Sequence, residues 1–170
     1  MKHIKLPSQK EIKELFDYNT NSGELIRIKR TARRTKVGEV AGSFSSNGYS
    51  NVTIAGIKYQ SHRIIYKLYY GDFNENFEID HIDHDRSNNR IENLRAVTHK
   101  VNCKNRKLSK NNTSGHIGVS WDGLTGSWHA RIIKKGKPLH LGFFTKIEDA
   151  ISARRTAELK YKFHPNHGEK

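Results

Sequence analysis

Cysteine is almost absent from this sequence, and its scarcity excludes one class of protein. The chain has 170 residues and one cysteine, Cys103, so no disulfide can form within it. Small secreted scaffolds held together by disulfides are therefore excluded. Long apolar runs are lacking too: no stretch approaches the roughly 20 apolar residues of a membrane span, and no apolar segment of the kind found in secretory leaders follows Met1–Lys5. We expect a soluble protein of the cytoplasm with no membrane association.

Apolar residues are also few. They make up 34% of the chain, against roughly 45–50% in an average globular protein. A small core needs fewer apolar residues in total than a large core does. We therefore expect two or three small modules rather than one medium-sized domain.

Positive charge, in contrast, is abundant. The chain has 31 lysines and arginines against 17 acidic residues, which gives a net charge of +14. Such an excess is typical of surfaces that bind phosphates, so it predicts nucleic acid as a partner without predicting an activity. One basic run lies within residues 27–36, where we expect phosphate contacts from Arg27, Lys29, Arg30, Arg33 and Arg34.

The first part of the chain shows short amphipathic patterns. Ser8 and Glu11 form a capping box, which predicts a helix whose apolar face carries Ile12, Leu15 and Phe16.

Further along, glycines separate short alternating segments. Residues 24–27 are predicted to begin a strand, and Tyr49–Ile54 and Ile57–Tyr59 predict an antiparallel meander. A second helix is predicted over Ser61–Tyr70, because apolar residues recur there at helical spacing and Gly71 can end it.

The last third of the chain has a different pattern. Ile117–Trp121, Trp128–Ile133 and Leu139–Phe144 are predicted strands separated by glycine-containing turns. A helix follows, and a capping box of Thr145 and Glu148 is predicted to open it. Three antiparallel strands and one packed helix make a self-contained module.

The densest polar cluster lies within residues 80–102. Five of the six residues at positions 80–85 are aspartate or histidine. Carboxylates this close repel one another unless a cation is nearby. A calcium loop beginning at Asp83 is excluded, because it would need a glycine at Asn88 and a bidentate glutamate at Leu94.

Two chemistries remain open for this cluster. One is a structural zinc site made of His81, His84, His99 and Cys103, although one thiol with three imidazoles is uncommon in such sites. The other is a site that hydrolyses phosphodiesters. Asp80 and the amide oxygen of Asn102 are ligands that suit a hard divalent ion. His81 can deprotonate an attacking water molecule.

The cluster resembles the motif of HNH nucleases, in the form found in phage homing endonucleases. The resemblance rests on Asp80-His81-Ile82-Asp83, on the segment from Asn88 to Arg95, and on Asn102, where other HNH proteins have a final histidine. It implies a ββα-metal unit. The residues predict the same order of elements: a strand over 77–83, a polar loop over 84–90, a second strand over 93–98 and a helix capped by Thr98 that runs through Asn105.

The resemblance also implies roles for single residues. Asp80 and Asn102 would bind one Mg²⁺ or Mn²⁺ ion, His81 would be the general base, and Asn93 would pin the loop so that the imidazole faces the scissile phosphate. Alternation along a strand sends Asp80 and His81 to opposite faces, so we expect the strand to bend there. His84 and His99 receive no role.

The helix before the motif is similar to the segment that precedes it in the same phage family. We interpret His62 and Arg63 as residues of a helix face that support the site or a phosphate, and we count Arg63 among the DNA contacts.

Residues 115–161 resemble the DNA-binding domain of plant APETALA2 and ethylene-response factors. The resemblance rests on Gly118-Val119-Ser120-Trp121, Trp128-His129-Ala130-Arg131-Ile132 and Leu141-Gly142-Phe143-Phe144. It implies a three-stranded sheet that lies in the major groove. Trp128, Ile132, Leu141 and Phe143 are predicted packing residues. The predicted DNA contacts of this module are Trp121, Arg131, Lys134, Lys135, Lys137 and His140.

We therefore predict an α+β protein with a basic β-rich segment over residues 1–70, a ββα-metal nuclease over 71–106, a linker over 107–114 and a DNA-binding domain over 115–170. The predicted function is metal-dependent, homing-type cleavage of double-stranded DNA. We expect a monomer that nicks one strand and needs no small-molecule cofactor, in the host cytoplasm if a phage encodes it. The alternative is a non-catalytic DNA-binding regulator. RNA binding is disfavoured, because the strands lack an RNP-type aromatic pattern.

Overall fold

The structure is a computed structural model that describes residues 4–30 and 32–169. The first three residues of the amino-terminal segment considered above lie outside the described residues. Within the described ranges, no helix is both long enough and apolar enough to cross a membrane. The chain divides into two compact units, residues 1–102 and 103–170. The finer division with a linker over residues 107–114 stays a prediction.

The amino-terminal unit begins with helix α1, Gln9–Leu15. The predicted capping box is present: the Glu11 N–H donates to Ser8 Oγ at 3.2 Å, and the Ser8 N–H donates to Glu11 Oε2 at 2.7 Å. Phe16 does not continue the helix, which corrects our prediction. Its backbone is extended and begins a strand, while its buried ring still joins Ile12 in the core.

Two small antiparallel sheets and a second helix complete the first part of this unit. The first sheet pairs β1 (Phe16–Asn19) with β2 (Glu24–Arg27). The second sheet contains β3 (Ser43–Phe44), β4 (Ser50–Ile54) and β5 (Ile57–Gln60) in that order. Helix α2, Ser61–Tyr70, has the predicted bounds and buries Ile64 and Ile65 in the core.

The polar cluster lies on the strand, loop, strand and helix that the sequence predicts. Strand β6 (Glu78–His81) pairs with β7 (Leu94–Val97), and a 3₁₀ turn at Ile91–Asn93 precedes β7. Helix α3, His99–Asn102, is shorter than the predicted helix through Asn105. The chain beyond it pairs differently, since the Lys104 carbonyl accepts the N–H of His164 instead of a helical N–H.

The carboxy-terminal unit has the predicted three strands and one helix. Its sheet contains β8 (Val119–Asp122), β9 (Ser127–Lys134) and β10 (Lys137–Phe144) in antiparallel order β10-β9-β8, and helix α4 spans Ile147–Lys160. The predicted capping box of Thr145 is wrong. Lys146 occupies the cap position without a side-chain bond, so the Thr145 hydroxyl lies one residue too early.

Helix α4 covers one face of this sheet. Val119, Ala130 and Ala150 form the buried centre, and Trp128, Leu141 and Phe144 pack around them. Phe143, which we predicted to be a packing residue, is 49% exposed. It pairs with His129 on the other face, because the ladder shifts register between His140 and Gly142. Small antiparallel sheets and short helices throughout confirm the predicted α+β class.

Candidate active site

His81 lies at the carboxyl end of β6 and is 4% exposed. Its Nε2 lies 3.0 Å from Asn89 Oδ1. An amide oxygen can only accept a hydrogen bond, so the imidazole donates from Nε2. The lone pair of the neutral ring is then on Nδ1, the nitrogen that can accept a proton.

Burial lowers the pKa of His81 below its ordinary value. The hydrogen bond to Asn89 and the nearby carboxylates of Asp83 and Asp80 act in the opposite direction, but more weakly. The ring is therefore neutral at physiological pH. A general base has to be neutral before it can take a proton.

Two other rings pack against His81. The centroid of the His62 ring lies 4.9 Å from that of His81 in a T-shaped contact, and the Tyr49 ring lies 5.9 Å from His81 and 5.3 Å from His62. His62 is buried, and its Nδ1 has no hydrogen-bond partner among the described residues. Burial, followed by the neighbouring His81 and Arg63, holds the pKa of His62 well below its ordinary value. The three rings pack against one another, and we call this set the ring wall (Tyr49, His62 and His81).

Asp80 precedes His81 on β6 and is bound by an arginine. Arg95, its partner across the ladder, donates from Nε at 3.0 Å and from Nη2 at 2.8 Å to Asp80 Oδ2. The predicted bend is not present, because the ladder continues regularly through Asp80↔Arg95 and His81↔Leu94. The two side chains therefore leave β6 on opposite faces.

Asn102, at the end of α3, is held by a carboxylate that our sequence analysis missed. Its Nδ2 donates to Glu78 Oε2 at 2.6 Å, and Glu78 Oε1 lies 2.8 Å from His99 Nδ1. Glu78 stands two residues before Asp80 on β6, and this period-two spacing places both carboxylates on one face. The spacing of Glu78 and Asp80 was the sequence feature that could have placed Glu78 beside the site. His99, to which we assigned no role, helps to orient Glu78.

The two metal chemistries that the sequence left open differ in the side chains that they need. No group of three or more His, Cys, Asp or Glu able to hold a metal exists in residues 4–30 and 32–169, so the zinc site of His81, His84, His99 and Cys103 is wrong. The Nδ2 of Asn102 donates a hydrogen bond to Glu78, and no described residue donates one to its Oδ1. A carboxylate and an amide oxygen are typical ligands of Mg²⁺ and related ions.

The Asn93 side chain forms hydrogen bonds with two other residues of the loop between β6 and β7. Its Oδ1 accepts the Asp83 N–H at 3.0 Å, and its Nδ2 donates to Asp83 Oδ1 at 2.9 Å and to the Asn88 carbonyl at 2.8 Å. The side chain is 7% exposed. This geometry fixes the loop that carries Asn89, the partner of His81.

Comparison with known proteins supports the interpretation of this region. Residues 59–104 match the family model described as HNH endonuclease. These residues are similar to an HNH endonuclease domain. We call them the HNH segment; they contain His62, Asp80, His81, Asn93 and Asn102.

Two relatives show how far the likeness extends. Protein 3.8 of Escherichia phage T7 is 34% identical over 76 residues, which are 45% of this chain and 63% of that protein. A structure of the HNH homing endonuclease I-HmuI, described as binding and cleaving DNA, superposes with a TM-score of 0.44 and 24% identity, over 60% of this chain and 57% of that chain. The chain therefore spans less than two thirds of the length of either protein.

The predicted DNA contacts before and within the HNH segment lie in different environments. Lys29, Arg30, Arg33 and Arg34 are exposed, and Arg27 is half-buried with its guanidinium 5.8 Å from the centroid of the Phe16 ring. Arg63 is 5% exposed and donates to the Phe77 carbonyl at 3.1 Å. It supports the chain after α2 and presents no guanidinium to a DNA surface.

The structure separates the predicted contacts of the carboxy-terminal unit. Arg131 and His140 pair on the face opposite α4, and Lys134, Lys135 and Lys137 surround the exposed turn between β9 and β10. Trp121 is also exposed, but it pairs with Trp128 on the face that carries the core.

Sequence reasoning missed an aromatic cluster on the open face of this sheet. His129 Nε2 lies 2.8 Å from His140 Nδ1, and the Phe143 ring lies 4.9 Å from both imidazoles. The alternation of His129 with Ala130 and Arg131 was the signal that could have placed it there.

Proposed function

We propose that this protein is a metal-dependent endonuclease of double-stranded DNA, of the homing type, which nicks one strand. The observation that carries the proposal is His81: a neutral imidazole in an HNH endonuclease domain, held by Asn89 so that Nδ1 carries the lone pair. One chain supplies one such base, which supports nicking by a monomer.

His81 takes the proton of the attacking water at Nδ1. Asn89 keeps the neutral ring in this tautomer, because its oxygen accepts a hydrogen bond from the Nε2–H. The ring wall restricts rotation of the imidazole, and burial lowers the stability of its charged form. The proton therefore passes on to solvent after the step, and the base regenerates.

Asp80 and Asn102 would hold the divalent ion, Mg²⁺ or Mn²⁺. The ion, when bound, supplies positive charge to the phosphorane and to the departing oxygen. Arg95 fixes the Asp80 carboxylate through two hydrogen bonds to Oδ2, while Glu78 turns the Asn102 amide so that its oxygen is left for the ion.

Basic side chains on both units hold the DNA. In the amino-terminal unit these are the exposed cations of the loop between β2 and β3, and in the carboxy-terminal unit those around the turn between β9 and β10. The resemblance of residues 115–161 to the DNA-binding domain of APETALA2 factors suggests that the basic side chains around the turn between β9 and β10 clamp the DNA. A second contact surface raises affinity through effective concentration.

The proposal is tested on supercoiled plasmid DNA. We expect conversion to the open-circular form with Mg²⁺ or Mn²⁺ and none with EDTA. Asp80→Asn and Asn102→Ala should require more metal for half-maximal rate, in addition to a lower rate. Normal metal titrations of both variants would contradict their assignment as ligands, and cleavage in EDTA would contradict the metal dependence.

A DNA-binding regulator without catalysis is the second candidate. It is favoured by the ion pair in which Arg95 occupies Asp80 Oδ2, one of the oxygens proposed for the metal. DNA binding by gel shift, together with intact plasmid in every metal, would support this candidate.

A further inference from the structure

The loop between β6 and β7 presents an arginine that the proposed chemistry does not use. Arg86 is exposed, and its Cζ lies 4.7 Å from the centroid of the Tyr49 ring. Its Nη1 donates to the Asn47 carbonyl at 2.8 Å. A stacking contact and a hydrogen bond therefore hold the guanidinium in one place on the surface.

This position is beside the proposed base. The Tyr49 ring that carries the guanidinium is also part of the ring wall, with its centroid 5.9 Å from that of His81. The sum of the two separations is the upper limit of the distance between the Arg86 guanidinium carbon and the imidazole. One aromatic ring therefore links the proposed base to a fixed positive charge.

The charge of Arg86 is not neutralised by the aspartates of its own loop. Asp83 accepts from Asn93 and Asn88, and Asp85 accepts from Ser87, so these carboxylates hold the loop together. Across residues 4–30 and 32–169, no salt bridge to Arg86 is found, and one of its five N–H groups is used within the chain.

We propose that Arg86 binds a phosphate of the DNA strand next to the phosphate that the His81 site attacks. The inference rests on the proposed nuclease function and adds a positioning contact to it. A guanidinium matches the two oxygens of a phosphate with parallel hydrogen bonds. Because Arg86 is already fixed on Tyr49, less side-chain entropy is lost when the phosphate arrives.

The first arm of the test measures DNA binding without metal. Fluorescence anisotropy with a short duplex, in EDTA, gives the slope of log K against log salt concentration. We expect Arg86→Ala to reduce this slope by about 0.9, the value for one phosphate contact. Arg86→Lys keeps a charge and should restore the slope. An unchanged slope in Arg86→Ala overturns the proposal, because it is what a purely structural role for Arg86 on Tyr49 would give.

The second arm measures nicking of bound plasmid at saturating protein. We expect a severalfold lower rate in Arg86→Ala and incomplete recovery in Arg86→Lys, since a lysine cannot make two parallel bonds. Arg90→Ala is the matched control: Arg90 lies in the same loop, is exposed and donates to the Asn21 carbonyl at 2.8 Å. It should nick at the wild-type rate. Equal losses in both alanine variants would contradict a specific contact by Arg86.

A third arm uses duplexes in which single phosphates beside the mapped nick are replaced by neutral methylphosphonates. One replacement should weaken binding of the wild type severalfold and leave binding of Arg86→Ala unchanged; equal weakening of both proteins at every position overturns the proposal. Failure of the nuclease function is separable: a wild type that does not nick, but whose slope falls in Arg86→Ala, has the phosphate contact without the activity.

Discussion

One amide decides which nitrogen of His81 can act as a base. Asn89 is 6% exposed and accepts a hydrogen bond from the Nε2–H of His81, so the alternative tautomer would leave two acceptors facing each other. Asn89 therefore acts through His81 and contacts no substrate itself. Such supporting residues orient the groups that react.

We predict that Asn89→Ala slows nicking on the order of 10- to 100-fold, the effect known for partners that orient metal-binding histidines, while DNA affinity is unchanged. Asn89→Asp keeps an acceptor for Nε2 and should recover much of the rate at neutral to alkaline pH. Single-turnover nicking and gel shift measure the two quantities. Full activity of Asn89→Ala would contradict the assignment of the tautomer.

At the scale of elements, strands were predicted more accurately than element ends. Period-two alternation located β4, β5 and the three strands of the carboxy-terminal sheet, because each has one buried face. The residues at which helices and strands end depend on packing between segments that are distant in the sequence. Phe16 left α1 to pair with Arg27, and the residues after Asn102 bonded to the chain around His164.

The site was predictable where the motif is local. Residues 80–102 supplied the proposed base, the proposed ligands and the loop anchor, whereas Glu78 and Arg86 emerged only from the structure. Glu78 contributes to the site because α3 brings Asn102 within hydrogen-bond distance of it. Arg86 contributes because the turn before β4 places the Tyr49 ring under its guanidinium. Both contacts join residues that are distant in the sequence, so local patterns do not predict them.

Helix α2 carries a histidine that makes stability depend on pH. Burial holds the pKa of His62 well below that of an unfolded histidine, which is about 6.5. As the pH falls below that value, the unfolded chain binds a proton that the folded chain does not. The free energy of unfolding should then decrease by up to about 1.4 kcal/mol per pH unit for this group and recover as the pH rises.

His62→Phe should flatten this acid dependence, since phenylalanine keeps a ring against His81 without a titrating nitrogen. A residual slope remains, because the pKa of His81 is also lowered. Urea unfolding of both proteins across acidic to neutral pH measures the difference. Identical slopes would contradict a low pKa for His62.

A buried arginine of helix α4 forms a hydrogen bond with the sheet that the helix covers. Arg154 is 4% exposed, donates from Nη1 to the Arg131 carbonyl at 2.6 Å and from Nε to Glu158 at 2.8 Å. We predict that Arg154→Ala lowers the free energy of unfolding of this unit by about 3 kcal/mol, because a carboxylate and a carbonyl lose their partner. Thermal unfolding measures this loss. Arg155→Ala, at the exposed neighbouring position, is the control, and equal melting temperatures in the two variants would contradict the role of Arg154.

For the whole molecule, the net charge of +14 has a measurable consequence. Binding to DNA releases counterions, so log K should fall by about 0.9 per decade of salt for each phosphate neutralised. Replacing both Arg33 and Arg34 with glutamine should reduce this slope by up to about twice that amount. Lys13→Gln, an exposed cation on α1 outside the basic run, should leave the slope unchanged. A wild-type slope near zero would contradict binding through a basic surface.

Cleavage of bound DNA by His81→Ala decides whether this imidazole is the base of the reaction. With excess Mn²⁺ and enough protein to bind all the DNA by gel shift, we predict wild-type binding and almost no nicking. Nicking by His81→Ala at the wild-type rate would show that the imidazole is not the base, and the chemistry assigned to this site would be wrong.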